Sequence, residues 1–249
     1  MIRDNRCLVV STGKTVWKVP LFFTGWREAE LEKNMIVAAE KDQHFVSYLP
    51  SYTYVSHISK TPIMTTVAAH PQKQHLMKEY FEKAFARSAE WQHVSLRALA
   101  DLAYFIGFLS QHTSENMEFW DELLGMLTVP GSSAHGDFNL DHVFLDGDRL
   151  RFIDWTLYSR DSSRYFDLIN YWIFSQKIGN ESWMEIWKKH SANPPAEIFG
   201  VPISQDEYKA YAIWKVAIEV KLLSLRSRLD KLKQRKYQNF INHLGKVLK

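Results

Sequence analysis

Cysteine is nearly absent from this sequence: the 249 residues include only Cys7, so the chain cannot form an internal disulfide. A chain without disulfides fits a reducing compartment, and we expect a cytoplasmic protein. The first ten residues contain neither a long apolar core nor the small-residue cleavage site of a signal peptide. The most apolar stretch, "LADLAYFIGFLS", is too short to span a membrane and contains Asp101. We therefore expect no integral membrane association.

The sequence also lacks a strong net charge, since the formal balance is only +3. This argues against a general polyanion binder, and we expect no nucleic-acid partner. The charge is nevertheless uneven, because ten Lys or Arg residues from Lys215 onward face only Glu219 and Asp230. One interpretation is a basic C-terminal helix that docks on an acidic surface. The favoured interpretation is a solvated amphipathic helix that turns its leucine stripe inward. The stripe consists of Leu222, Leu225, Leu229 and Leu232.

A phosphate-binding loop of the Walker type is missing as well. Gly13-Lys14-Thr15 resembles the end of such a loop, but the motif needs a glycine five residues before Gly13, where Leu8 stands. Thr15 also leads into a β-rich run, whereas the motif requires a helix at that point. The sequence therefore excludes this kind of nucleotide site.

What is present is a β-rich beginning followed by a mostly helical remainder, in a chain that is 46% hydrophobic. The pattern predicts a small β-rich lobe over residues 1–68 and a larger helical lobe over residues 69–249. In the small lobe, strands are predicted in "RCLVV", "TVWKV", "FVSYLPSYTYVSHIS" and "TPIMTTV", with a helix from Trp26 to Lys41. In the large lobe, helices are predicted over residues 75–92, 94–113, 117–127, 164–178, 181–191, 205–232 and 238–248.

One β-hairpin interrupts the helical part and carries an aspartate at each open end. The apolar runs Val143–Leu145 and Leu150–Ile153 flank a turn, Asp137 precedes the first run, and Asp154 follows the second. Because a hairpin brings its open ends together, the two residues are expected about 6 to 10 Å apart, roughly two strand spacings. Two carboxylates so close repel each other unless a cation such as Mg²⁺ lies between them or one is protonated.

Such a pair suits phosphoryl transfer, which depends on positioning and on neutralising charge. One aspartate would hold metal and phosphate oxygens, and the other would take a proton from an attacking hydroxyl. A purely structural role is the alternative, since Asp is common at strand ends. The dipeptide His135-Gly136 favours a functional role, because glycine permits an unusual backbone beside Asp137 and the histidine can hold the loop by hydrogen bonds.

The run His135-Gly136-Asp137, the apolar hairpin and Ile153-Asp154-Trp155 together resemble the aminoglycoside phosphotransferase and choline kinase family, relatives of the protein kinases. Downstream, "SRDSSRYFDLINY" resembles the family's Asp-Pro-x-x-Asp-Leu segment. The resemblance implies an α+β, protein-kinase-like, two-lobed fold, in which we expect the small lobe to be shortened at its N-terminal side. It also implies an ATP-dependent kinase that uses Mg²⁺ and a small hydroxyl-bearing acceptor.

The resemblance further implies roles for individual residues of the catalytic hairpin. Asp137 would be the catalytic base, or the group that orients the acceptor hydroxyl, with His135 beside it holding the catalytic loop. Asp154 would be the metal ligand. Asp161 and Asp167 would be structural, tying the loop to the following helix.

In the small lobe the resemblance assigns nucleotide binding to Lys18, which takes the place of the strand lysine that binds the α- and β-phosphates. Its glutamate partner on the next helix is expected to be Glu32, with Glu28 as second choice, since residues four apart share one helix face.

Two features depart from the family pattern. His142 stands where the family has an asparagine that ligates a second metal ion, and imidazole suits Mg²⁺ poorly. We place His142 at the nucleotide site, where it would donate a hydrogen bond to Asp137 or to a phosphate. Second, only "MIRDN" precedes "RCLVV", so the first strand and its glycine-bearing phosphate loop are expected to be missing. The alternative function is therefore a pseudoenzyme that binds nucleotide or a protein partner without catalysis.

Overall fold

The computed structural model describes residues 7–12, 14–112, 117–225 and 231–248, and strands and helices intermix along them. The strands are β1 Cys7–Thr12, β2 Thr15–Pro20, β3 Thr53–Val55, β4 Ile58–Pro62, β5 Thr65–Thr66, β6 His93–Ser95, β7 Thr128–Pro130, β8 Ser132–Ala134, β9 Val143–Asp146, β10 Arg149–Phe152, β11 Ser159–Ser162, β12 Glu197–Ile198 and β13 Val201–Pro202. The helices are α1 Phe22–Ala39, α2 Lys73–Phe85, α3 Leu102–His112, α4 Met117–Met126, α5 Arg164–Ser175, α6 Trp183–His190, α7 Gln205–Leu225 and α8 Lys231–Leu248. The predicted α+β class is confirmed.

The chain divides into two compact units. The first comprises the described parts of Met1–Met77 together with His135–Ser159, and the second comprises those of Lys78–Ala134 and Arg160–Lys249. The hairpin segment thus belongs to the same unit as the N-terminal strands, whereas the sequence pattern assigned it to the larger lobe. The predicted lobe boundary between residues 68 and 69 stays a prediction.

A four-stranded antiparallel sheet forms much of the first unit, with the order β1-β2-β4-β3. The β-branched residues of "TVWKV" favour the central strand β2, in which Lys18 lies opposite Val9 on one side and Ser59 on the other. Gly13, between β1 and β2, lies outside the described residues, as do residues 1–6. The expectations of a shortened N-terminal edge and a missing phosphate loop therefore stay predictions.

Helix α1 begins at Phe22, four residues before the predicted start at Trp26. Its buried residues follow a spacing of three and four, which is the periodicity of one helix face. They are Gly25, Ala29, Glu32, Ile36 and Ala39. A carboxylate on an otherwise apolar buried face is unusual, because burying a charge is costly unless a partner compensates it.

The hairpin between Asp137 and Asp154 forms as predicted, with β9 antiparallel to β10. Asp146 pairs with Arg149, so the turn between the strands consists of Gly147 and Asp148. Gly147 has a φ of 61°, the left-handed backbone that a two-residue hairpin turn requires. Strand β5 extends this hairpin to three strands in the order β10-β9-β5.

The second unit is built mainly of helices around an aromatic core. Helix α5 packs on α7, and the rings of Phe166 and Trp214 stack with centroids 4.8 Å apart. The prediction of a helix over 94–113 is wrong at its beginning, since β6 pairs with β7 and α3 starts only at Leu102. Local periodicity did not reveal β6, because its partner lies more than thirty residues away in sequence.

Two helices were predicted for the basic C-terminal region, over residues 205–232 and 238–248, and the structure contains two helices there with different bounds. Helix α7 ends at Leu225 and α8 begins at Lys231, and residues 226–230 lie outside the described residues. Of the predicted leucine stripe, Leu222 is partly buried, while Leu229 and the side chains of Leu225 and Leu232 lie outside the description. Among the helices described, none combines the length and the apolarity needed to cross a lipid bilayer.

Candidate active site

The backbone before Asp137 can be formed only by glycine. Gly136 has a φ of 89°, and a Cβ atom at this position would lie 2.1 Å from the carbonyl oxygen of Leu157. Both the left-handed backbone and the close contact exclude a side chain. Gly136 thereby lets the segment before the hairpin lie directly against the segment that follows it.

His135 holds these two segments together from a fully buried position. Its Nε2–H donates to the carbonyl oxygen of Ile153 at 3.0 Å, and its Nδ1 accepts from the backbone N–H of Asp137 at 3.4 Å. Burial, and then the nearby His142, lower the pKa of His135 to about 4, so the ring is neutral near pH 7. His135 thus positions the Asp137 loop through its two hydrogen bonds.

Asp154 lies in a left-handed backbone conformation, with φ 61° and ψ 63°. Non-glycine residues adopt this region rarely, and such residues cluster at functional sites. The Thr156 hydroxyl donates to Asp154 Oδ1 at 2.9 Å, which orients the carboxylate. Burial acts to raise the pKa of Asp154, but the charge of Lys18, followed by His142, outweighs it and lowers the pKa to about 2. Asp154 is therefore ionised at neutral pH.

Lys18 and Glu32 form an ion pair, with Lys18 Nζ 2.7 Å from Glu32 Oε2. Burial acts to lower the pKa of Lys18, and the charges of Glu32 and Asp154 reverse that effect and raise it. Burial raises the pKa of Glu32, and the Lys18 charge opposes this change. Lys18 thus lies in the field of two carboxylates. Glu28, the second choice of partner, lies one turn earlier on α1.

Asp137, His142 and Asp154 converge at the open end of the hairpin. One ligand atom from each lies within 4.8 Å of the other two. The carboxylates are thus closer than the distance expected from strand spacing. The reason is that the chain leaves regular strand geometry at both ends of the hairpin, through the 3₁₀ turn Leu140–His142 and the left-handed residue Asp154.

His142 lies between the two carboxylates. Its Nδ1 is 2.8 Å from the backbone carbonyl oxygen of Asp137 and 3.7 Å from Asp137 Oδ2. Its Nε2 is 3.8 Å from Asp154 Oδ2. The structure therefore brings His142 to Asp137, as expected, although the hydrogen bond goes to the backbone carbonyl.

The side chains near His142 do not replace the family's asparagine. Asn139 donates from Nδ2 to the carbonyl oxygen of Asp137 at 3.2 Å, and its Oδ1 accepts from the backbone N–H of Asp141 at 2.9 Å. Its amide oxygen is thus used to cap the 3₁₀ turn. Asp141 is exposed and lies outside the cluster of ligand atoms.

The two downstream aspartates belong to the second unit. Asp161 is exposed on β11, and Asp167 is fully buried in the first turns of α5. Neither belongs to the cluster formed by Asp137, His142 and Asp154. Their structural role stays a prediction.

Two site residues were not predicted from the sequence. Thr156 orients Asp154, and a hydroxyl two residues after an aspartate was a local signal that could have found it. Tyr52 lies before β3, where burial, then Glu32, Tyr54 and Asp154, raise its pKa. No sequence signal identified Tyr52, because it is one of several aromatic residues in a β-rich run.

No family model and no curated protein sequence matches the chain. Several solved structures, in contrast, are similar to it in fold. Choline kinase LicA from Streptococcus pneumoniae superposes with a TM-score of 0.55 at 16% identity, covering 98% of this chain and 91% of that one. The same enzyme in complex with AMP gives a TM-score of 0.56 at 17% identity, with 98% and 89% covered.

Two further structures extend this likeness beyond one enzyme. A choline/ethanolamine kinase family protein from Mesorhizobium loti has a TM-score of 0.53 at 13% identity, covering 99% of this chain and 86% of that one. The GDP complex of aminoglycoside 2'-phosphotransferase-IIIa has a TM-score of 0.54 at 13% identity, with 98% and 90% covered. The predicted resemblance in structure to choline kinases and aminoglycoside phosphotransferases is confirmed, and with it the protein-kinase-like α+β fold.

Proposed function

We propose that the protein is a phosphotransferase that moves the γ-phosphate of ATP to a hydroxyl group of a small molecule. The observation that carries this proposal is the convergence, within one unit, of the Lys18–Glu32 pair, the ionised Asp154 and the glycine-dependent loop of Asp137. The structurally similar proteins support it, because they are named as kinases and phosphotransferases, and two of the structures are complexes with GDP or AMP.

Lys18 would bind the phosphates of the nucleotide. Its ammonium group is charged and held in place by Glu32, so its position is fixed before the nucleotide arrives. A preorganised cation of this kind stabilises phosphate oxygens without paying the cost of reorganisation.

The two aspartates fit a divalent cation. Asp154 is ionised, and the Asp137 carboxylate lies within 4.8 Å of it, so a cation between them would relieve their repulsion. When bound, such an ion supplies charge neutralisation for the phosphates during transfer. Asp154 would hold the ion, and Thr156 fixes the direction of the Asp154 carboxylate.

Asp137 would accept the proton of the acceptor hydroxyl or orient that hydroxyl toward the γ-phosphate. The backbone of Asp137 is held by His135 and its carbonyl by His142 and Asn139, while about a quarter of its side chain stays accessible, 27%. This arrangement allows an incoming hydroxyl to reach the carboxylate.

The pseudoenzyme alternative is less favoured, because Lys18, Glu32, Asp137 and Asp154 are all present in a connected arrangement. The acceptor belongs to the broad class of small hydroxyl compounds, and a cytoplasmic location is part of the same proposal.

The test is an ATP-turnover screen of amino alcohols, sugars and aminoglycosides with purified protein, repeated with Asp137→Asn. Loss of the base should lower turnover by about 10²- to 10⁴-fold, while nucleotide affinity changes little. The matched control is Asp148→Asn, which alters an exposed aspartate on the hairpin turn and should leave turnover unchanged. Nucleotide binding without turnover for any acceptor, in wild type and both variants, would instead support the pseudoenzyme.

A further inference from the structure

The tautomer of His142 decides which of its two ring nitrogens carries a lone pair that could bind a metal ion. His142 Nδ1 lies 2.8 Å from the backbone carbonyl oxygen of Asp137, and 3.2 Å from Asn139 Nδ2. A carbonyl oxygen only accepts hydrogen bonds, so the short contact requires a proton on Nδ1. Asn139 then donates to the same carbonyl oxygen, 3.2 Å away. In a neutral ring this leaves Nε2 with a lone pair.

The lone pair on His142 Nε2 faces a carboxylate oxygen of Asp154, which is also a hydrogen-bond acceptor. His142 Nε2 lies 3.8 Å from Asp154 Oδ2, which is too long for a hydrogen bond. The other oxygen of Asp154 already accepts from Thr156. Two electron-rich atoms that face each other at this distance are stabilised by a cation that both can bind. Around an octahedral ion with bonds of about 2.1 Å, adjacent ligand atoms lie about 3.0 Å apart and opposite ones about 4.2 Å apart, so the observed separation lies between these two values.

The donor set distinguishes between cations. Mg²⁺ prefers oxygen ligands, whereas first-row transition-metal dications accept both carboxylate and imidazole. The Nδ1–H bond to the Asp137 carbonyl is also the arrangement that orients metal-ligating histidines in proteins. The neighbouring amide of Asn139 directs its Oδ1 toward the backbone N–H of Asp141.

We propose that His142 Nε2 and Asp154 bind a transition-metal dication of the Mn²⁺ type in preference to Mg²⁺, beside the carboxylate of Asp137. The inference concerns the same metal site as the proposed function and rests on it in that respect. It does not depend on the identity of the acceptor or on turnover.

The direct test is electron spin-echo spectroscopy of Mn²⁺ bound to the protein without nucleotide, with natural histidine and with ¹⁵N-labelled histidine. Nitrogen modulation that changes from ¹⁴N to ¹⁵N on labelling is the expected result. Bound Mn²⁺ whose spectrum does not respond to histidine labelling would overturn the proposal, and so would a folded wild-type protein that binds no Mn²⁺. Either result would mean that His142 is an ion-pair or hydrogen-bond partner only.

A second measurement compares the dissociation constants of Mn²⁺ and Mg²⁺ for wild type and His142→Asn, with the fold of each protein checked by circular dichroism. The preference for Mn²⁺ over Mg²⁺ should fall about tenfold in the variant, the lower range for altered metal shells. His93→Asn, at an exposed histidine of the second unit, is the matched control and should keep the wild-type preference. An unchanged preference in folded His142→Asn would contradict histidine ligation.

The two proposals fail separately. Nitrogen-ligated Mn²⁺ in a protein that transfers no phosphate would refute the proposed function alone. Turnover with Mg²⁺ and no nitrogen signal from Mn²⁺ would refute the metal preference alone.

Discussion

Lys18 Nζ lies 2.7 Å from Glu32 Oε2, and Glu32 is only 5% exposed on a helix face that is otherwise apolar. A buried carboxylate of this kind is stabilised by its partner, and removing one member of the pair leaves the other uncompensated. The pair therefore couples the packing of α1 to the position of the ammonium group on β2.

The first prediction concerns Glu32→Gln, which keeps the shape of the side chain and removes its charge. Lys18 should lose its fixed position, and ATP affinity should fall about tenfold, the size of one charge-assisted hydrogen bond. Calorimetric titration with ATP measures this. Glu28→Gln, one helical turn earlier, is the control and should bind ATP as the wild type does. Equal losses in the two variants would show that the pair has no special role.

Much of this site could be predicted because its signals are local in sequence. Two short apolar runs around a glycine turn indicate the hairpin. The family resemblance implied a glutamate partner for Lys18 on the next helix, and the helical spacing left Glu32 and Glu28 as candidates on one face. Strand β6 was missed because it exists only through pairing with the distant β7. The convergence of Asp137 with Asp154 was underestimated because it depends on a left-handed residue, which regular strand geometry does not contain.

The second prediction uses two glycines with similar backbones and different surroundings. Gly136→Ala places a Cβ 2.1 Å from a backbone oxygen, whereas Gly147→Ala meets nothing within 4 Å. Both variants adopt a left-handed backbone, which costs about 1 to 2 kcal/mol for a residue with a side chain. We expect Gly147→Ala to lose only that amount in urea unfolding, and Gly136→Ala to lose more or fail to fold. Equal losses would mean that the contact with Leu157 relaxes without cost.

The third prediction concerns pH and His135 in metal-free protein. The pKa of His135 is lowered to about 4 in the folded state, below its ordinary value of 6.5. Below pH 6.5 the His135 ring therefore binds a proton more readily in the unfolded chain than in the folded one. The contribution of the neutral, buried ring to stability is thus complete above pH 6.5. It is lost as the pH falls toward 4, and amounts to about 3 kcal/mol at 1.36 kcal/mol per pKa unit.

Urea unfolding between pH 4 and pH 7.5, with EDTA present, measures this effect. His135→Gln can keep a donor near the Nε2 position for the Ile153 carbonyl and does not titrate, so its stability should vary less with pH over that window. Parallel profiles for wild type and variant would show that His135 is not the group responsible.

The last prediction separates the charge of Asp154 from its backbone. Asp154 has a φ of 61°, so Asp154→Ala would combine loss of the carboxylate with backbone strain. Asparagine tolerates the left-handed region and retains an oxygen for the Thr156 hydroxyl. Asp154→Asn should therefore remain folded with some loss of stability, because the lowered pKa of Asp154 means that the fold favours its ionised form, and it should lose its metal-dependent ATP binding. Titration with ATP, with and without the divalent cation, should show a difference in wild type that is largely abolished in Asp154→Asn.

Thr156→Val, which removes only the orienting hydroxyl, should have an intermediate effect, because the carboxylate keeps its charge but loses its fixed direction. Metal-dependent binding that survives intact in Asp154→Asn would assign the ion to other ligands and would remove Asp154 from the proposed mechanism.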